Sequence, residues 1–294
     1  MFHWRWRVQG ALAIILAIIL AGCSERIQGG DSVRVAVSIP PLADMARQIG
    51  GDRVSVVTLV PPGASVHTYE PTPRQVQFIS TAHLLILNGV NLEFWAPKVI
   101  DAANNPRLRV IYTAQGLTLL EQASEEGGNP HVWLDPINAI YQAKRISDAL
   151  VEVDPEHQGV YRENAARYIA ELQALDEEIR RETATWTHRR FVAFHSAWVY
   201  FAQRYGLEQV AAIEEFPGKE PSPEYLARVV DMVRELNVPV VFAEPQLPLR
   251  AAEAVAAEAK VKVITLDPLG GTAGRETYID LMRYNLAQMA KGLQ

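Results

Sequence analysis

Short β-branched segments alternate with helical spacing in two series, one on each side of a single long polar helix, and few folds accept that order. In the first series Val33–Ile39, Val54–Val60, Leu84–Leu87 and Leu108–Tyr112 read as strands. Leu42, Met45, Ala46 and Ile49 recur at helical spacing until Gly50-Gly51, and Pro73–Thr81 and Phe94–Ala102 read as further helices. The second series has strands at Arg190–Phe194, Gln209–Ile213, Val238–Ala243 and Val261–Leu266. Helices are predicted between them at Ala197–Tyr205, Ser222–Leu236 and Arg250–Ala259. Strand–helix alternation of this kind means a parallel sheet with helices on its faces. The expected fold class is therefore α/β, with two lobes at residues 33–153 and 187–294.

Residues 154–186 connect them as one predicted helix. Asp154-Pro155 supplies an N-cap followed by proline at the first helical position. Ala165, Tyr168, Leu172, Leu175 and Ile179 then fall at spacings of three and four and form one narrow apolar stripe. Continued to Thr185, the helix would run about 45 Å at 1.5 Å per residue. Its place between the two series suggests a rod that spans both lobes and restrains their relative motion.

The chain opens on a different kind of segment. His3, Arg5 and Arg7 precede an apolar run from Ala11 to Ala21. That run is well short of the roughly 20 residues of a membrane-spanning helix and reads as a secretory leader. It ends at Leu20-Ala21-Gly22-Cys23, which resembles the lipobox of bacterial lipoproteins. The resemblance implies cleavage after residue 22, lipid attachment at Cys23 and a tether over residues 23–32. Cys23 is the only cysteine among 294 residues, so a disulfide framework and any multi-thiolate metal site are excluded. Loss of the leader leaves 26 basic against 34 acidic side chains, a net charge of −8. Such a balance argues against a nucleic-acid partner.

Metal chemistry must then rest on His, Asp and Glu. Three histidines occupy equivalent places: His67 in the loop beyond the second strand, His131 in the connection leaving the fourth, and His195 directly after Phe194. Asp267 directly follows the strand Val261–Leu266. Ligands of open α/β sheets bind beyond the carboxyl ends of strands. Three imidazoles and a carboxylate form a donor set that a borderline divalent ion such as zinc accepts. His83, His157 and His188 are read as solvated or capping residues.

The segments around these four positions resemble those of the substrate-binding lipoproteins of bacterial zinc and manganese ABC transporters. Gly63–Pro71 resembles the first motif of that family, 130–136 (PHVWLDP) the second, and 195–207 (HSAWVYFAQRYGL) the third. Glu220-Pro221-Ser222, Glu244-Pro245-Gln246 and 266–270 (LDPLG) complete the pattern. The resemblance implies two α/β lobes bridged by a long helix and a non-enzymatic role. Metal would bind between the lobes to His67, His131, His195 and Asp267. It further implies delivery to a membrane permease driven by a separate ATPase, since this chain shows no phosphate-binding loop. An extracytoplasmic monomer, lipid-anchored in the periplasm or on the outer cell surface, follows from the same likeness.

Two departures bear on the metal. Residues 119–129 hold Glu121, Glu125 and Glu126 but none of the histidines many zinc-specific relatives carry there, and Ser196 stands where the third motif often has Asp or Asn. Manganese-type relatives usually place a carboxylate at the third position, so His195 favours zinc, with manganese the alternative. A secreted zinc hydrolase, with Glu70, Glu215 or Glu244 as base, and a surface adhesin are the rival classes. Proton competition with the metal is expected near the ordinary histidine pKa of about 6.5.

Overall fold

The computed structural model describes residues 32–120, 127–214 and 218–294. The leader, Cys23, almost all of the tether, Glu121, Glu125, Glu126 and Glu215 lie outside the described residues. Residues 33–294 form one compact unit. Among the described residues no helix is long and apolar enough to cross a membrane.

The first lobe runs β1 (Val33–Val37), α1 (Pro40–Gly50), β2 (Val54–Thr58), α2 (Pro73–Ile79), β3 (Leu84–Leu87), α3 (Ala96–Ala103), β4 (Arg109–Tyr112) and α4 (Pro136–Val153). The long helix α5 (Gln158–Thr183) follows. The second lobe repeats the order with β5 (Arg190–Ala193), α6 (Val199–Tyr205), β6 (Glu208–Ala212), α7 (Pro223–Glu235), β7 (Val240–Ala243), α8 (Arg250–Ala259), β8 (Lys262–Thr265) and α9 (Tyr278–Leu293). Both sheets are four-stranded, with orders β2-β1-β3-β4 and β6-β5-β7-β8. Every pairing is parallel. Strand order therefore reverses between β1 and β3 and again between β5 and β7, which places a ligand crevice at the carboxyl end of each sheet.

The strands form where buried runs with no polar alternation demand a sheet covered on both faces; all four residues of β3 and of β7 are buried. Helices α2 and α3 cover one face of the first sheet through Ile79, Trp95 and Val99. Helices α7 and α8 cover the outer face of the second through Val229, Val233 and Val255. The two inner faces do not have separate cores. One cluster runs from Val35, Leu42 and Ile146 through Tyr168, Leu172 and Leu175 of α5 to Phe191, Phe201, Met282 and Leu293. The predicted stripe on α5 is the middle of that cluster, and the helix packs on α1 and α4 of one lobe and on α6 and α9 of the other.

The start of α5 differs from expectation. Pro155–His157 form a separate 3-10 turn, and the Asp154 carboxylate does not cap it. Asp154 instead accepts from Tyr161 Oη at 2.5 Å and contacts His157 Nδ1 at 2.8 Å.

Polar contacts fasten the lobes at two junctions. Asp44 of α1 accepts from Tyr168 Oη of α5 at 3.3 Å and from the backbone N–H of Tyr278, at the start of α9, at 2.8 Å. The Tyr278 hydroxyl donates to the carbonyl of Trp133 at 2.7 Å. In the second junction Arg204 of α6 pairs with Asp176 of α5 at 2.6 Å and with Asp135, the N-cap of α4, at 3.2 Å.

Candidate metal centre

His67, His131 and His195 meet. Each is carried by a loop that leaves the carboxyl end of a strand, and His195 and Glu244 stand just past β5 and β7, where the second sheet reverses order. The His67 loop is held at both ends by Gln75, whose Nε2 donates to the Leu59 carbonyl at 2.6 Å while Oε1 accepts from Tyr69 Oη at 2.8 Å. Gln75 also completes a capping box with Thr72 at the start of α2.

One ring nitrogen from each histidine lies within 4.8 Å of the others. His131 Nε2 is 3.1 Å from His67 Nε2 and 3.0 Å from His195 Nε2. Metal–nitrogen bonds of about 2.0–2.1 Å in a tetrahedral shell separate their nitrogens by about 3.3 Å, so both contacts made by His131 stand a few tenths of an ångström from ligating spacing.

The far nitrogens fix the tautomers. Asn129 Oδ1 accepts from the backbone N–H of His131 at 3.0 Å, so it is the amide oxygen, and His131 Nδ1 at 2.9 Å must donate to it. His195 Nδ1 lies 2.7 Å from Glu244 Oε1 and donates to that carboxylate. Both Nε2 atoms are then bare lone pairs, facing each other across 3.0 Å with no proton between them when the rings are neutral. Such a contact is repulsive until a cation enters.

Burial keeps the His67 and His131 rings deprotonated. It pushes the His67 pKa down to about 3, with the neighbouring His195 adding to the effect. His131 falls well below the usual histidine range for the same reason, with His195 and His67 contributing. The unfolded chain takes up protons near pH 6.5 that the folded chain refuses. Metal-free stability is therefore fully present above that pH and is lost as pH falls from about 6.5 toward about 3. Thermal melts of the metal-free protein should be flat above pH 7 and decline below 6. Proton competition for metal likewise moves below the window expected from the sequence.

The space between the rings, Trp133, Glu244 and Leu269 is about 20 Å³, room for one ion or water and not for an organic substrate. Asp267, 1 % exposed, does not line this space, although its neighbours Pro268 and Leu269 do, and it is outside the imidazole group. Its Oδ1 accepts from Gln246 Nε2 and its Oδ2 pairs with Arg275. The other described histidines stand elsewhere. His83 Nδ1 accepts from the Arg34 N–H at 2.9 Å, His157 contacts Asp154, and His188 bonds through its backbone N–H to Leu293. Ser196 Oγ accepts from Gln209 Nε2 at 3.3 Å. Glu70 is exposed. Two residues with functional contacts were not singled out for that role from the sequence, Asn129 and Glu244. Glu244 lies 49 residues from His195 and has no spacing signal, whereas Asn129 stands only two residues before His131.

Residues 35–292 match the model of the family described as ZnuA, zinc-uptake complex component A, periplasmic. The chain belongs to this family. ZnuA-type relatives differ in the metals their names record. The chain is 32% identical over 290 residues to the manganese-binding lipoprotein MntA of Halalkalibacterium halodurans, covering 95% of this chain and 96% of that protein. It is 31% identical to the zinc-binding lipoprotein AdcA of Streptococcus pneumoniae, over 94% of this chain but only 58% of the relative. A crystal structure of a zinc-bound ZnuA deletion mutant superposes with a TM-score of 0.81 at 35% identity, covering 89% of this chain and 98% of that chain. The family is one of transport components, not of hydrolases.

Within this ZnuA-type site, the Glu244 carboxylate orients the His195 ring and raises its basicity, as partners of metal-bound imidazoles do. Glu244→Gln keeps the shape and removes the charge. Zinc affinity, read by competition with a chelator, should fall about tenfold.

Proposed function

We propose that this chain is an extracytoplasmic metal-binding component of an ABC transporter, capturing a divalent transition metal, zinc first, between its lobes. The observation that carries this reading is the convergence of three Nε2 atoms whose rings are locked, in two cases, by donation from Nδ1. His67, His131 and His195 are the proposed ligands, with Asp267 as a conditional fourth. Imidazole-rich donors favour zinc over manganese, and the names of relatives include both metals. Family membership supports a separate permease and ATPase as partners. The lipobox-like Cys23 and the lipoprotein relatives support a lipid anchor outside the cytoplasm. We take the chain to act as a monomer.

Capture is a matter of lone pairs and solvent. The ion replaces a repulsive contact with three donor bonds in a site too small to retain bulk water. The shared core and both polar junctions oppose wide separation of the lobes, so release works through the His67 and His195 loops. Calorimetric titration of the wild-type protein and of His195→Glu with zinc and manganese tests the assignment. Wild type should bind one zinc ion more tightly than manganese, and His195→Glu should narrow the gap. Tighter binding of manganese by wild type would contradict it.

A further inference from the structure

We propose that Arg275 determines metal preference by withholding Asp267 from the ion. The inference rests on the metal-site reading above and concerns a residue that touches none of the three histidines.

Asp267 is 1 % exposed and lies just behind the cavity wall, which its chain neighbours Pro268 and Leu269 and its partner Gln246 line, with its donors already in place. Its Oδ1 accepts from Gln246 Nε2 at 2.7 Å and from the backbone N–H groups of Leu269 and Gly270, each at 3.0 Å. Its Oδ2 pairs with Arg275 Nη1 at 3.0 Å. A carboxylate oxygen offers about two lone pairs, so Oδ1 is saturated and Oδ2 is half used. Ligation through Oδ2 must share or displace a guanidinium in a site shielded from water, where the ion pair is strong.

Arg275 is held for this task. Its guanidinium lies over the Tyr284 ring, 4.5 Å from the centroid. Its backbone N–H donates to Thr272 O at 2.9 Å, and its carbonyl accepts from Gly271 N at 2.8 Å. Gly270, at φ +67°, passes so close that a Cβ there would sit 2.8 Å from the Arg275 carbonyl. The loop thus aims one arginine, whose side chain is 20% exposed, at one oxygen.

The two metals feel this differently. Zinc is satisfied by three imidazoles and one further ligand, which can be water. Manganese prefers carboxylate oxygens and needs Asp267 more. An arginine that occupies Asp267 therefore penalises manganese most.

The test is direct titration of the protein with zinc and with manganese in wild type, Arg275→Gln, Arg275→Lys and the double variant Arg275→Gln/Asp267→Asn. Arg275→Gln should shift the zinc-to-manganese affinity ratio toward manganese by about tenfold. Arg275→Lys retains the charge and guards against loss of folding; it should shift the ratio in the same direction by less. Adding Asp267→Asn should abolish the gain. With cobalt as probe, the visible bands of Arg275→Gln should weaken as the coordination number rises, a change that mere loosening of the loop would not give. An unchanged ratio in both single variants, or a gain that survives Asp267→Asn, would overturn the proposal. A wild-type protein that binds neither ion would instead overturn the metal-site reading on which it stands.

Discussion

His131→Ala should weaken zinc binding by about three orders of magnitude, about 4 kcal/mol. His131 is the ring common to both close nitrogen contacts, and it is 3 % exposed. Its Nδ1 is fixed by Asn129, so its Nε2 is pre-aimed, and a metal gains this donor with little ordering cost. Removing it leaves His67 and His195, whose ring centroids are 5.4 Å apart, as the remaining imidazole pair. The backbone N–H of residue 131 still reaches Asn129, so the loop keeps its anchor. Circular dichroism of the metal-free variant should match wild type while chelator competition shows the loss. A change in affinity smaller than threefold would remove His131 from the site.

The second large effect falls on the fold. Asp176→Ala should destabilise the protein by about 3 kcal/mol, since it strips a shielded guanidinium of its main partner. For a chain of this size that corresponds to a fall in melting temperature on the order of 5–10 °C. Asp176 accepts from Arg204 Nε at 2.6 Å, Arg204 Nη2 at 2.7 Å and Tyr205 Oη at 2.9 Å, with its side chain only 10% exposed. Burial alone would raise its pKa, but the bonds from Arg204 and Tyr205 outweigh burial and hold it below the usual carboxylate range. The contribution of Asp176 is therefore fully present above the unfolded value of about 3.9 and is lost as pH falls through the lower folded one. Urea unfolding at pH 7 should show the full difference between wild type and variant, and the difference should shrink near pH 3. Because Arg204 also reaches Asp135, the variant should bind zinc but unfold with lower cooperativity between the lobes.

The strands were legible because a parallel sheet buried on both faces needs continuous apolar runs, and such runs stand out between proline and glycine breaks. Two helices were not, α4 and α9. Each interrupts its buried stripe with polar or small residues, Gln142 and Ser147 in one, Asn285 and Gly292 in the other. Gln142 is committed to Asn88 and Thr113, and Asn285 to the backbone of Asp267. Those partners are distant in sequence, so the pattern gives no sign of them.

The site divides in the same way. His67, His131 and His195 could be found because each follows a strand, and strand ends are local. The contacts that decide what the rings do reach beyond the local sequence. Glu244 reaches His195 from the neighbouring strand, and Asn129 is fixed in part by donating to the Ser196 carbonyl of the other lobe. Asp267 was visible as a carboxylate after a strand, while its engagement by Arg275 depends on a glycine-shaped loop. Spacing finds donors; the fold sets their protons and their competitors.

Three imidazoles are proposed to hold the metal. Zinc-edge X-ray absorption of the protein loaded with one equivalent of zinc measures that shell directly. The expected signal is the multiple-scattering pattern of three imidazoles, with nitrogen at about 2.0–2.1 Å and one further light ligand. A shell of oxygen alone, or one with fewer than two imidazoles, would contradict it.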